Sequence, residues 1–175
     1  MRAGALLRFG ADRTGAAALE FAIVAPLLLA LAFSTFEAGW MMTKTILLDR
    51  ALDIAVRAVR TDKNAPKTQA DMKKAVCAEM LIVPGCEQAL SIEMTKVTVA
   101  ADFPSSAATC VDRGAAIQPV VSFTTGEGES IMFVRACLVT DPIAPFIGLG
   151  LQMPKDSKGG YSIVSASAFT NEPDT

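Results

Sequence analysis

The sequence contains no histidine, and aromatic residues make up only 6% of it. Histidine is the commonest general base and a frequent metal ligand, and it is the side chain that titrates near neutral pH. Without it, a serine or cysteine nucleophile lacks its usual partner. Neither a P-loop nor a G-x-G-x-x-G motif occurs. These absences argue against an enzyme, and we expect no cofactor and no metal ion.

Positive charge is not in excess. The chain has 16 Lys and Arg against 18 Asp and Glu, a net charge of −2. Nucleic-acid binding domains usually carry a basic field, so no nucleic-acid partner is expected. The length of 175 residues suits one modest domain with an appended segment. The mean hydropathy of +0.39 is high for a soluble protein, and residues 19–43 supply much of it.

The four cysteines are not spaced for a paired metal or redox motif. None forms C-x-x-C, which argues against a zinc ribbon and a thioredoxin-like site. An even number of cysteines behind an export-like N-terminus favours disulfides in an oxidising compartment, with free buried thiols as the alternative. Of the three possible connectivities, Cys77–Cys86 with Cys110–Cys137 closes the shortest loops, so we expect this one.

An apolar run near the N-terminus has a carboxylate at each end. Residues 21–36 are uncharged, and Glu20 and Glu37 flank them. As a helix this run is about 24 Å long, shorter than the roughly 30 Å hydrocarbon core of a bilayer. A spanning helix must therefore include one of the two acids. A charged residue inside the bilayer costs roughly 2.5–3.5 kcal/mol on the insertion scale, a cost that a plain anchor does not need.

Three interpretations of this N-terminus are open. A cleaved secretory signal fits the basic start and the small residues "ALA" at 30–32. A plain single-span anchor fits the apolar run equally well. Both leave Glu20 without a purpose. A prepilin-type leader instead accounts for Gly15, because an acid follows five residues later and an apolar helix continues beyond it.

The stretch "TGAAALEFAIVAPLLLALAFSTFEAG" resembles the N-terminus of the TadE-like pseudopilins of tight adherence (Flp) pili. The shared features are the pair Glu20-Phe21, the proline at Pro26 and an acid-glycine cluster that begins at Glu37. The C-terminal "SASAFTNEP" also resembles the close of that family. The resemblance extends over residues 13–60 and 131–173.

The resemblance implies that a prepilin peptidase cleaves between Gly15 and Ala16. Many type IV pilins carry phenylalanine at the first mature position, where this chain has Ala16. The resemblance also implies that Glu20 pairs with the N-terminal ammonium of a neighbouring subunit, which would set the stagger between helices. The implied partners are the peptidase, other Tad pseudopilins and assembly-platform proteins, and the implied function is assembly of a pilus for surface attachment. The alternative is a membrane-anchored or secreted binding module of the cell envelope.

The expected organisation is a leader (1–15), a transmembrane half of a long helix (16–43) and a periplasmic domain (44–175). The disulfides favour a domain outside the cytoplasm. We therefore expect a single-pass protein of a bacterial inner membrane, with entry into an extracellular pilus or its tip as a further option.

The expected fold is pilin-like and α+β, with the long helix packed on an antiparallel sheet and a second short helix. Apolar residues at helical spacing continue the first helix to about residue 60. Thr68 and Asp71 resemble a capping box at the start of the second helix.

Alternating apolar residues predict a strand over 90–95. The segment 161–170 is expected to form the last strand. Residues 120–124 and 131–139 flank the glycine-containing loop "TGEGES", which predicts a hairpin.

Overall fold

The computed structural model describes residues 15–61, 66–104 and 107–172. Its largest element is helix α1, Ala16–Thr61, with 46 residues. Such a helix is about 69 Å long, which is far more than the small domain beside it can cover. Pro26 lies inside α1 without ending it, although proline removes one internal hydrogen bond. The predicted continuation of the first helix to about residue 60 is confirmed.

Most of the remaining elements form a domain that packs on the second half of α1, whereas the short helix Leu149–Gln152 lies beside residues 31–38. The strands β1 (Leu90–Lys96), β2 (Ile131–Thr140) and β3 (Tyr161–Thr170) form an antiparallel sheet in that order, so β2 is the central strand. The α+β prediction is confirmed. In chain order the elements are α2 (Gln69–Glu79), α3 (Cys86–Ala89), β1 (Leu90–Lys96), a 3₁₀ turn (Ala100–Asp102), β2 (Ile131–Thr140), α4 (Leu149–Gln152) and β3 (Tyr161–Thr170).

The core forms where one face of α1 meets the sheet and α2. Leu48 and Leu52, one helical turn apart, are both fully buried. On the sheet, Ile92 of β1 and Val134 of β2 are also fully buried and belong to the same core cluster. Because these apolar side chains follow the 3.6-residue period in the helix and the two-residue period in the strands, the sequence pattern locates the core correctly.

Helix α2 begins as the capping pattern predicts. The Thr68 side chain accepts a hydrogen bond from the Asp71 amide at 3.1 Å, and its hydroxyl donates to the Asp71 carboxylate at 2.7 Å. Such caps satisfy amide groups that have no partner within the helix. Met72 and Val76 then direct the buried face of α2 towards the core.

The predicted hairpin between residues 120–124 and β2 is wrong. Both neighbours of β2 are other strands, because β1 pairs with one side and β3 with the other. Residues 120–124 lie instead beside β1, where Phe123 forms a single parallel bridge with Met94. The Met94 amide donates to the Ser122 carbonyl at 2.9 Å. Alternation of apolar residues predicts a strand-like segment but does not specify its partner.

Two disulfides link the domain, and they are the same two pairs that the sequence favours. Cys77–Cys86 joins the end of α2 to α3, and Cys110–Cys137 joins a long loop to β2. The first closes a loop between residues 9 apart and the second between residues 27 apart. Both therefore restrain loop segments against the regular elements.

We predict that Leu52→Ala lowers the free energy of unfolding by about 2–5 kcal/mol, because it leaves a cavity in the core. The matched control is Leu27→Ala in the same helix, where the leucine is 65% exposed. This control should change the free energy by less than about 0.5 kcal/mol. Urea denaturation of the full chain in detergent measures both. Equal effects of the two substitutions would contradict this packing of α1.

Candidate functional site

The first half of α1, residues 16–36, is almost uncovered and is called the bare half below. Among the described residues from Gly15 to Phe36, none is buried. Phe21 is 73% exposed and Leu27 is 65% exposed. Water is a poor environment for such a surface, because exposed apolar area is costly in proportion to its size. By length and composition α1 can cross a membrane.

The residues of the predicted cleavage site lie at the start of this bare half. Gly15 is in a turn, and Ala16 begins α1. The Gly15 carbonyl accepts a hydrogen bond from the Leu19 amide at 3.1 Å. A Cβ atom added at Gly15 would meet no other atom within 4 Å. The described fold therefore has no steric need for glycine at this position.

Glu20 and Phe21 are exposed on the same bare segment. In the described ranges, from 15 to 172 with two short gaps, Glu20 forms no hydrogen bond or ion pair within its own chain. A carboxylate beside so much apolar surface is stable only if a cation or a hydrogen-bond donor compensates it. The described residues supply neither.

Glu37 has the opposite environment. Only 1% of this residue is exposed. Its Oε2 atom accepts hydrogen bonds from the backbone amides of Ile143 at 2.7 Å and Ala144 at 3.1 Å. Such charge-assisted bonds are stronger than bonds between neutral groups. Glu37 therefore fastens α1 to the loop after β2, 106 residues later in the chain.

Lys44 lies seven residues after Glu37 and is also buried. Its Nζ atom donates to the Thr140 hydroxyl at 2.8 Å and to the Asp141 carbonyl at 3.1 Å. Burial lowers the pKa of the Lys44 ammonium, and the negative charges of Glu37 and Asp141 oppose this shift. The ammonium also lies 5.5 Å from the ring centres of Trp40 and Tyr161.

Tyr161 completes this polar cluster at the first residue of β3. It is 2% exposed, and its hydroxyl has no hydrogen-bond partner within the described residues. The same holds for the Oε1 atom of Glu37. Burial raises the pKa of the Tyr161 phenol to about 12, and the negative charge of Glu37 adds to this effect.

The sequence motif indicates Glu37 but not the residues that bind it. Ile143 and Ala144 contribute backbone amides, which no side-chain pattern can indicate. Lys44 was detectable in principle, because a separation of seven residues places it on the same face of α1 as Glu37.

The family model described as TadE-like protein matches residues 15–57. The match covers about a quarter of the chain, and over that range the chain is similar to the TadE-like family. The match contains every N-terminal motif residue from Gly15 to Glu37, so the predicted resemblance is confirmed for this part of the chain. The resemblance of residues 131–173 lies outside the match and stays a prediction. No curated protein and no solved structure matches the chain.

We predict that Glu37→Ala in the TadE-like segment speeds hydrogen exchange at the amides of Ile143 and Ala144, because both lose their acceptor. Leaving such donors unsatisfied costs about 1–3 kcal/mol of folding stability. Glu37→Gln is the matched control, since its amide oxygen can still accept. Hydrogen-exchange mass spectrometry compares the variants. Unchanged protection in Glu37→Ala would show that these bonds are not formed in solution.

We predict that Tyr161 titrates near pH 12 in the folded protein and at a lower pH in Glu37→Gln. It is the single tyrosine of the chain, so tyrosinate absorbance reports it directly. Because the pKa of the folded state lies above the ordinary value of 10.0, the protonated phenol stabilises the fold fully below pH 10. That contribution is lost as the pH rises towards 12. Between pH 10 and 12, Tyr161→Phe should lose less stability than the wild-type chain. Titration of the Tyr161 phenol near pH 10 would contradict its buried environment.

Proposed function

We propose that the chain is a TadE-like minor pilin or pseudopilin of a tight adherence (Flp) pilus. A prepilin peptidase removes residues 1–15, and the mature chain begins at Ala16. The protein then acts as a structural partner in pilus assembly for surface attachment and not as a catalyst. The observation that carries this proposal is the bare, TadE-like half of α1 with Glu20 exposed upon it.

The chemistry of the mature N-terminus gives Glu20 its role. Cleavage creates an α-ammonium group at Ala16, one helical turn before Glu20, beside an apolar helix surface. Each charge alone is costly in that environment. When the ammonium of one subunit meets the Glu20 carboxylate of its neighbour, the pair offsets part of this cost and specifies the stagger of the helices. The free carboxylate of Glu20 in the described chain supports this arrangement.

The two disulfides support the proposed location. Disulfides persist in oxidising compartments such as the bacterial periplasm and are rare in the cytoplasm. All four cysteines lie after residue 61, in the domain that follows α1. We therefore place the leader in the cytoplasm, the first half of α1 in the inner membrane, and the domain in the periplasm.

The test is Glu20→Gln, which removes the charge and keeps the shape of the side chain. We predict normal membrane insertion and cleavage but a loss of pilus-dependent surface attachment, because neighbouring helices lose their ion pair. Glu79→Gln is the matched control, since Glu79 is exposed on α2 and should be neutral. N-terminal sequencing of the mature protein and an attachment assay are made on the same strains.

Two results would contradict the proposal. A mature N-terminus at Phe33 would indicate a signal peptidase acting after "ALA" at 30–32. Wild-type attachment by normally cleaved Glu20→Gln protein would mean that the acid is incidental.

A further inference from the structure

The segment after β2 runs alongside α1 towards the helix N-terminus. Hydrogen bonds at three heights along α1 show where the segment runs. The Asp141 carbonyl meets Lys44, the Ile143 amide meets Glu37, and the Leu149 amide donates to the Ser34 hydroxyl at 3.0 Å. From Lys44 to Ser34 is ten residues, so the segment follows the helix for about 15 Å. It reaches the bare half of α1.

Glycine permits the closest approach. Gly148 has a φ of 62°, and an added Cβ atom would lie 2.8 Å from the carbonyl oxygen of Ala30. It would also clash with the Ser34 hydroxyl. The loop backbone therefore lies directly on the helix surface, at the level of residues 30–34.

The segment is uncharged, and charged groups mark both of its ends. Residues 142–154 contain no Asp, Glu, Lys or Arg, whereas Asp141 precedes them and Lys155 and Asp156 follow. Arg113 joins the two ends, because its guanidinium bonds Asp141 at 2.7 Å and Asp156 at 2.8 Å. Both ends of the uncharged segment therefore lie at the same ion-pair cluster, which Arg113, Asp141 and Asp156 form.

Several polar groups of the loop backbone are satisfied within the protein. Ile143 and Ala144 donate to Glu37, and Leu149 donates to Ser34. The three prolines of the segment have no amide hydrogen to satisfy. Irregular backbone at membrane depth must be buried in protein or face water. These hydrogen bonds shelter the side of the loop that faces α1, and Gly150 is buried there.

Large apolar side chains of the segment point away from the protein. Phe146 is 88% exposed, Ile143 is 56% exposed and Leu151 is 53% exposed. Leu151 lines one shallow cavity together with Leu31 of the bare half of α1, so the loop and the exposed helix surface meet there. We propose that residues 142–154 form a loop that dips into the bilayer beside α1, with Phe146 among the lipid acyl chains. This inference rests on the membrane span of the proposed function.

The position of the single tryptophan supports a loop that lies within the bilayer. Tryptophan is enriched at membrane interfaces, and Trp40 follows Glu20 by 20 residues, or about 30 Å of helix, the thickness of the hydrocarbon core. Ser34 lies six residues before Trp40, so the loop at Ser34 reaches about 9 Å below the interface. Lipid is the occupant favoured here, because the same layer surrounds the helix that the loop contacts.

Depth-dependent fluorescence quenching tests the proposal. The background variant Trp40→Phe removes the native tryptophan, and Phe146→Trp places a reporter on the loop. The full chain is reconstituted in phosphatidylcholine vesicles with bromine at defined acyl positions. Ile131→Trp is the control, because residue 131 is 52% exposed at the opposite end of β2, about 30 Å from Thr140. Leu27→Trp reports the span itself.

We expect the emission of the Phe146→Trp reporter to be blue-shifted and acyl-chain bromine to quench most of its intensity. The Ile131→Trp reporter should stay unquenched. Quenching at Leu27→Trp with none at Phe146→Trp would overturn the dipping loop and leave the anchor intact. An unquenched Leu27→Trp would overturn the span, and with it the membrane part of the proposed function. If the Phe146→Trp reporter is shielded from bromine and the shielding depends on the protein-to-lipid ratio, the loop contacts another copy of the chain. That result would also overturn the proposal.

Discussion

Helix α1 is longer than the domain that packs against it, and this mismatch governs the rest of the structure. The second half of its roughly 69 Å length finds cover in the sheet and α2. The first half finds almost none in the described chain, although it is the more apolar part. Folding of the domain therefore leaves an apolar helix that must be covered by lipid or by other subunits.

Glu20 and Glu37, the two acids that flank the apolar run, have different environments along α1. Glu37 lies where the domain begins and receives two backbone amides from its own chain. Glu20 lies about 26 Å earlier along the helix and receives nothing from the described chain. An acid that binds amides of its own chain serves the fold, whereas an exposed acid on an apolar surface is available to a partner. In our account Glu37 positions α1 on the domain, and Glu20 positions α1 in an assembly.

The sequence predicts those features that depend on local spacing. Periodicity gives the extent of α1, the Thr68 cap gives the start of α2, and alternation gives β3 at residues 161–170. The spacing of the cysteines also favours the pairs that the structure contains.

Features that depend on tertiary contacts could not be predicted in this way. The sequence predicts a hairpin between residues 120–124 and β2, because alternation does not reveal that β1 and β3 occupy both sides of that strand. The amides that bind Glu37 come from residues more than 100 positions away and carry no side-chain signal. The environment of Glu20 involves other molecules, so a single chain can show its exposure and not its partner.

Zero-length cross-linking tests the central claim most directly. A membrane-soluble carbodiimide couples a carboxylate to an amine only where the two are in contact. In membranes that hold isotope-labelled and unlabelled mature chains with their pilus partners, the account predicts an amide bond between Glu20 and the N-terminus of a different chain. The product should be absent in Glu20→Gln. If the reagent modifies Glu20 but yields no bond to another chain, Glu20 has no partner subunit and the account is contradicted.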